Sequence, residues 1–470
     1  MLFSSAEFLF FFLPGVIFCY YVLCRKNRLL QNILLLIASL FFYAWGEPKF
    51  VFVMVLSIMA NWFFGLLIHQ FKARKAVVRV LLLAATVFNL GIMFVFKYLI
   101  FSLNNINSLF GLALSVPVIT LPIGISFFTF QAFSYVLDVN RGAGEVQKNP
   151  MYVGLYISFF PQLIAGPIVR YETIADEIKH RKETLDDFTS GVTHFIVGFL
   201  KKVLLANTMA VIADNAFDGN DNLSVGLAWL GVFAYAFQIY FDFSGYSDMA
   251  IGLGKMFGFH FLENFNYPYI SKSISEFWRR WHISLGTWFR DYVYFPLGGS
   301  RVKSKARLVF NLFVVWFLTG VWHGANWTFI LWGLMYFALI TFEKMTNFEE
   351  NPKKFGWLKY SYTMLFVLFG WVLFRAQNLG AAGEYFKAMF GLAGNPLIDD
   401  AFVLNLTQNF VFLIVCAVFS LPAAKVFREK IGERFKGTGA VYAAGLMMLL
   451  LVAVSYLVKG SYNPFIYFNF

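Results

Sequence analysis

Apolar runs of about 17 to 25 residues, the length that carries a helix across roughly 30 Å of hydrocarbon, recur from one end of this 470-residue chain to the other. In hydrocarbon every backbone polar group needs a partner, and a single segment of that length meets the requirement only as a helix. The runs fall at 7–24, 29–46, 49–69, 79–98, 116–137, 190–213, 225–250, 307–323, 325–343, 357–375, 402–424 and 440–458, with 307–343 readable as a hairpin or one bent pair. Composition agrees, since 59% of the residues are hydrophobic and 14% are charged, against about 25% charged in soluble domains. The expected fold is an all-α integral membrane protein with about eleven transmembrane helices plus re-entrant or interfacial ones, built as one polytopic domain over residues 1–470. The segment "ISFFPQLIAGPIVRY" (157–171) is apolar but carries two prolines and a glycine. It reads as a broken or re-entrant stretch, tolerable only if buried in protein or beside a wet cavity.

Short loops rich in Lys and Arg point to the cytoplasm. "RKNR" (25–28), "KARKAVVR" (72–79) and "KVFREKIGERFK" (425–436) are such loops, whereas "DNAFDGNDN" (214–222) and 376–400 are acidic. Threading the spans between these anchors predicts extracytoplasmic N- and C-termini and a cytoplasmic basic stretch at 255–307. The first apolar run precedes its charges and lacks a small-residue cleavage site, so it is expected to be a retained anchor. The net charge of +12 is accounted for by basic loops beside anionic lipid, without nucleic acid. Cys19, Cys24 and Cys416 lie in apolar runs without metal-type spacing and read as small core residues.

Polar side chains inside apolar spans mark the places where chemistry is expected, because burying them costs free energy unless partners satisfy them. In "YAFQIYFDFSGYSDMAIG" (235–252), Tyr235, Gln238, Asp242 and Tyr246 share one helical face, with Ser244 and Asp248 beside it. That face is either an interhelical hydrogen-bond seam or a polar wall of a reaction chamber. In "SEFWRRWHISLGTWFRDYVYFPLGGSR" (275–301), Trp278, Trp281, Arg279, Arg280, Arg290 and His282 mix aromatics with cations. An interfacial helix would explain them; so would a site where these arginines, with Lys303, Lys305 and Arg307, attract a phosphate-rich donor such as coenzyme A.

The third cluster is "LTGVWHGANWTFILWG" (318–333). If helical throughout, it aligns Thr319, His323, Asn326 and Trp327, while Gly320 and Gly324 permit close backbone approach. His323 is either a satisfied packing residue or a general base, with Asn326 polarising a carbonyl. His69, His180, His194 and His260 have no companion motif and are not expected to act.

The chain resembles the membrane-bound O-acyltransferase superfamily, in the bacterial branch concerned with alginate, peptidoglycan and teichoic acids. The resemblance is carried by "MLFSSAEFLFFFLP" (1–14), "LPIGISFFTFQAFSYVLDVNRG" (121–142), "FFPQLIAGPIVRY" (159–171), "FDFSGYSDMAIG" (241–252), "FWRRWHISLGTWFRDYVYFPLGGSR" (277–301), "TGVWHGANWTFILWG" (319–333) and "YNPFIYFNF" (462–470). It implies a helical fold around a central chamber, His323 as principal catalytic residue, and His282 as the upstream partner histidine. The implied reaction is acyl transfer from a cytoplasmic thioester, acetyl-coenzyme A, with no bound cofactor and no metal. The acceptor would be an extracytoplasmic polysaccharide, reached with a secreted serine-type (SGNH-like) acetyltransferase. Tyr467, in the tail "NPFIYFNF", is either an interfacial anchor or a phenolic acyl carrier. Alternatives are acylation of a lipid or protein hydroxyl, and a transporter without chemistry.

Overall fold

A computed structural model describes the chain except residues 165, 220–222, 350–355, 424–437, 461, 465 and 467–470. The basic loop read at 425–436 and the tail tyrosine Tyr467 therefore lie outside the described residues. Among those described there is no strand, and ten helices are long and apolar enough to cross a membrane. Contacts divide the chain into two units, Met1–Phe195 with Ser247–Leu262, and Ile196–Tyr246 with Glu263–Phe470.

The first unit holds α1 (Phe8–Leu23), a shorter apolar helix, then the spanning helices α2 (Arg28–Gly46), α3 (Val51–Gln70) and α4 (Lys75–Phe110). Asn27, inside the basic "RKNR" loop, starts α2 by accepting the Leu29 and Leu30 N–H groups at 2.9 and 3.2 Å. Asn61 on α3 and Asn89 on α4 are fully buried and exchange amide hydrogen bonds of 3.0 and 2.8 Å. Such reciprocal pairing makes a polar residue tolerable in a spanning helix.

The apolar run at 116–137 is not one helix. Residues 112–122 are non-helical, and α5 begins only at Ile125 and ends at Arg141. Pro117 and Pro122 explain the late start, because proline lacks an N–H and disfavours the helical region for the residue before it. α5 follows Gly124 at φ +74°, where a Cβ would sit 2.8 Å from the Leu163 carbonyl oxygen, so only glycine fits.

The stretch expected to be broken is broken. α6 (Pro150–Ser158) stops at Phe159, one helical turn covers Phe160–Leu163, and helix resumes as α7 (Tyr171–His180). Phe159, Phe160, Gln162, Leu163, Ile168 and Val169 are buried in protein. Their backbone finds side-chain partners: Ser39 Oγ accepts the Phe160 N–H at 3.0 Å, and the Tyr156 hydroxyl donates to the Val169 carbonyl at 2.9 Å. Irregular backbone inside a membrane protein survives on such contacts.

Two long helices, α8 (Leu185–Asp218) and α9 (Val225–Met256), are cut by the division into units. The second unit continues with the short helices α10 (Ile274–Arg280) and α11 (Ile283–Phe289). Then come α12 (Lys305–His323), α13 (Trp327–Met345), α14 (Gly356–Arg375), α15 (Leu379–Met389), α16 (Asp400–Phe419) and α17 (Thr438–Lys459). The run 307–343 is thus two helices, α12 and α13, which pack backbone to backbone. A Cβ at Gly320 would lie 2.5 Å from the Phe329 carbonyl oxygen, and one at Gly333 would lie 2.5 Å from that of Trp316. Val411 on α16 and Met448 and Leu451 on α17 are exposed, as lipid-facing side chains are.

Candidate functional site

His323 is the last residue of α12 and is buried. Its ring meets Trp322, Trp332 and Phe374 edge-on, with centroids 5.0, 4.9 and 5.1 Å away. These rings come from three helices, α12, α13 and α14, so the glycine contact between α12 and α13 sets the size of the cage. Trp332 continues into Trp278 and Tyr336 at 5.3 and 5.1 Å. The Nε1 atoms of Trp278 and Trp332 and the Tyr336 hydroxyl are buried with no hydrogen-bond partner among the described residues. Buried donors of this kind are costly in a purely structural role and available to a developing negative charge.

The helical face expected to continue past His323 ends there. Gly324 is extended (φ −171°, ψ 156°), and Asn326 stands outside both helices as the N-cap of α13. Its Oδ1 accepts the Thr328 N–H at 3.1 Å and its Nδ2 donates to the Gln377 carbonyl at 2.7 Å. Asn-initiated capping is stronger than helix continuation through Gly-Ala-Asn. Thr319 remains on the His323 face, its hydroxyl bonded to the Val315 carbonyl at 2.7 Å, whereas Trp327 is exposed.

His282 is also buried, in the turn between α10 and α11, with a left-handed backbone at φ 46°. A non-glycine residue in that region is strained, and Asn264 holds it there. The Ile283 N–H donates to the Asn264 carbonyl at 3.0 Å, and the Ser284 N–H to Asn264 Oδ1 at 3.1 Å. Because a backbone N–H can only donate, that side-chain atom is an oxygen, and His282 Nδ1, 3.3 Å from it, carries the proton in their contact. Nε2 is then the basic nitrogen. Burial pushes the imidazole down to about 3, so it is neutral near pH 7. The ring packs on Phe243 of α9 at 4.6 Å and on Trp322 at 6.1 Å. Trp322 therefore touches both histidines.

α10 and the residues next to it separate two residue classes. Trp281 is buried, 4.9 Å from Trp371, whereas Arg279 is exposed. The arginines expected to hold a donor already have carboxylate neighbours: Arg279 with Glu349 at 2.7 Å, Arg280 with Glu276 at 2.9 Å and Arg290 with Asp291 at 2.8 Å. Lys303, Lys305 and Arg307 are exposed. A residue not singled out in the sequence, Glu343 of α13, anchors the start of α10. It is buried and accepts the N–H groups of Ile274 and Ser275 at 2.6 and 2.8 Å and the Ser275 hydroxyl at 2.7 Å. Its place at the last position of an apolar run was the available signal.

On α9, Tyr235, Gln238, Asp242 and Tyr246 are all buried along one face. At Asp242 the face is an interhelical ion pair, with Lys202 Nζ 2.7 Å from its carboxylate. Asp248 is half-buried and belongs to the other unit. Lys202 was overlooked, although a lysine inside the run 190–213 is the kind of charge that marks function.

Comparison with known proteins adds chemistry to this geometry. The family model of the membrane-bound O-acyltransferases matches residues 143–381, a region that contains both histidines. The probable alginate O-acetylase of Pseudomonas putida is 41% identical, with all of both chains covered. The peptidoglycan O-acetyltransferase of Helicobacter pylori is 34% identical over 100% of this chain and 98% of its own. The teichoic acid D-alanyltransferase of Bacillus subtilis is 34% identical over 54% of this chain and 69% of its own. With half of its length matched by the family model and full-length relatives above 30% identity, this multi-pass membrane chain belongs to the membrane-bound O-acyltransferase family and is an acyltransferase.

Proposed function

We propose that this protein moves an acetyl group from cytoplasmic acetyl-coenzyme A across the bacterial inner membrane for O-acetylation of an extracytoplasmic polysaccharide, an alginate-like exopolysaccharide or peptidoglycan. The observation that carries this reading is His323 in its aromatic cage, sharing Trp322 with His282. His323 acts as general base: it takes the proton of an acceptor hydroxyl while the oxygen attacks the thioester carbonyl carbon. The carbon–sulfur bond then breaks, and the proton passes to the leaving thiolate. Trp278, Trp332 and Tyr336 supply donors for the charge that collects on the carbonyl oxygen. His282 assists proton transfer or donor placement, and Gln238, Asp242, Tyr246 and Asn326 support the chamber.

Arg279, Arg280 and Arg290 meet the donor's phosphates by exchanging their carboxylate partners Glu349, Glu276 and Asp291. The N- and C-termini are extracytoplasmic, and Tyr467 receives the acetyl group on its phenol oxygen before a secreted serine-type transferase takes it to the polymer. Membranes supplied with labelled acetyl-coenzyme A test the scheme. His323→Gln is expected to cut label transfer by about 10²- to 10⁴-fold, the range for a positioned general base. Transfer at the wild-type rate would overturn the assignment. Label recovered in lipid or in another protein, with none in polysaccharide, would favour the alternative acceptors.

A further inference from the structure

The ion pair of Lys202 and Asp242 is buried to the same degree as the hydrophobic core, with side-chain exposures of 1% and 2%. Lys202 is the eighteenth of the 34 residues of α8, and Asp242 the eighteenth of the 32 of α9. A charged pair in the middle of two spanning helices is an expensive way to join them, because well-packed apolar residues would serve as well or better. Its remaining contacts show what else it does. The Ile466 N–H donates to Asp242 Oδ2 at 2.9 Å, and Lys202 Nζ donates to the Pro464 carbonyl oxygen and, at 2.9 Å, to Asn207 Oδ1. Asn207 Nδ2 in turn donates to Asn463 Oδ1 at 3.3 Å. Further along α8, Tyr462 donates its hydroxyl to Asp214, which also pairs with Arg375 at 2.9 Å.

Tail positions 462, 463 and 464 thus contact α8 positions 214, 207 and 202 in order, so the carboxy-terminal tail runs from the end of α8 to its middle. Ile466 is 6% exposed. Backbone outside a regular α-helix at that depth needs partners for its N–H and C=O groups, and the ion pair provides one of each sign. The carboxylate takes an N–H and the ammonium takes a C=O.

We propose that Lys202 and Asp242 are a positioning pair whose task is to seat the carboxy-terminal tail by its backbone at mid-membrane depth. Resting on the acyl-carrier reading of Tyr467, loss of the pair is expected to lower acetyl transfer as well. The polarity of the two contacts makes this testable apart from any general stabilising role. Exchanging the charges with Lys202→Asp and Asp242→Lys together restores an ion pair. It also sets an ammonium against the Ile466 N–H and a carboxylate against the Pro464 carbonyl.

The experiment places Ile466→Cys in the full-length protein with Cys19, Cys24 and Cys416 replaced, and follows N-ethylmaleimide labelling in native membranes. Expected labelling is slow in this parent and faster by about ten- to a hundredfold in Asp242→Asn and in Lys202→Met, the factor that a charge-assisted hydrogen bond is worth. It remains fast in the charge-exchanged double variant. Separately, in the full-length protein without the cysteine probe, Ile466→Pro removes the donated N–H while leaving the pair intact. Carboxypeptidase digestion of its tail should be faster than that of wild type by a similar factor. Single variants that label at the parent rate, or an exchange that restores slow labelling, would overturn the proposal. The carrier reading is separated by Tyr467→Phe, whose acetyl transfer is expected to fall to background. If transfer persists there, the carrier falls while the labelling still decides whether the pair seats the tail.

Discussion

Gly320→Ala is expected to leave the protein folded and nearly silence it. The added methyl would sit 2.5 Å from the Phe329 carbonyl oxygen and 3.3 Å from Gly333 Cα. Both obstacles are backbone, so no rotamer change relieves them, and the seam is equally tight on the other side, where a Cβ at Gly333 would lie 2.5 Å from the Trp316 carbonyl oxygen. Reaching ordinary contact at 3.4 Å requires α12 and α13 to part by about 0.9 Å. Overpacking of this kind costs about 1–3 kcal/mol, and alanine returns up to about 1 kcal/mol of helix propensity. The net loss is about 0–3 kcal/mol, below the stability of a folded domain.

The effect on the site is larger, because His323 is the last residue of α12 and its neighbour Trp332 adjoins Gly333 on α13. Parting the helices moves His323 and one wall of its cage by nearly 1 Å, and misplacement of that size at a reacting group can cost about 10²-fold in rate. The assay is label transfer from acetyl-coenzyme A in membranes, normalised to protein, beside a melting curve in detergent. Gly91→Ala in α4, with nothing within 4 Å of the added methyl, is the control and should transfer normally. Well-expressed Gly320→Ala with transfer within about threefold of wild type would refute the link between the glycine contact and the position of His323.

Two further outcomes are expected. Glu343→Ala strips the acceptor from three donors at the start of α10, costing about 1–3 kcal/mol in melting measurements. It should also lower transfer, because His282 follows α10 by two residues; a variant with wild-type melting and transfer would show the anchor to be idle. His260 supplies a pH effect in the first unit. Burial disfavours its imidazolium, but Glu177 at 2.8 Å and Asp187 at 3.4 Å outweigh burial and raise its pKa. The stabilisation is therefore complete below about pH 6.5 and is lost as pH rises through the raised value. With the ring 50% exposed the effect is under about 1 kcal/mol. It is read as the melting difference between wild type and His260→Gln, and a difference that grows with pH would contradict the sign.

Local chemistry carried most of the fold in the amino-acid order itself. Hydropathy over about 20 residues marks a spanning helix because hydrocarbon leaves the backbone no other choice, and "FFPQLIAGP" could be read as broken because proline and glycine act on their own neighbours. The two histidines stood out through their apolar setting and through the motifs shared with a known family, and the structure buries both. Where the reading failed, a nearby residue had more than one local option. The run 116–137 hid Pro117 and Pro122 within apolar surroundings, and Asn326 could continue a helix or cap the next.

Only the tertiary structure decided the contacts between distant parts of the chain. Trp322 joins His282 to His323, Asn264 settles which His282 nitrogen is basic, Glu343 anchors a helix that begins 69 residues before it in the chain, and Asp242 meets Ile466 across 224 residues. Periodicity records which face of a helix is buried and is silent on what covers that face. Whether the polar stripe of α9 was a seam or a wall could not be read from its spacing, since both require the same residues. What the structure adds at Asp242 is its partners: the carboxylate is shared between Lys202 Nζ and the Ile466 N–H, which hydropathy could not have placed beside it.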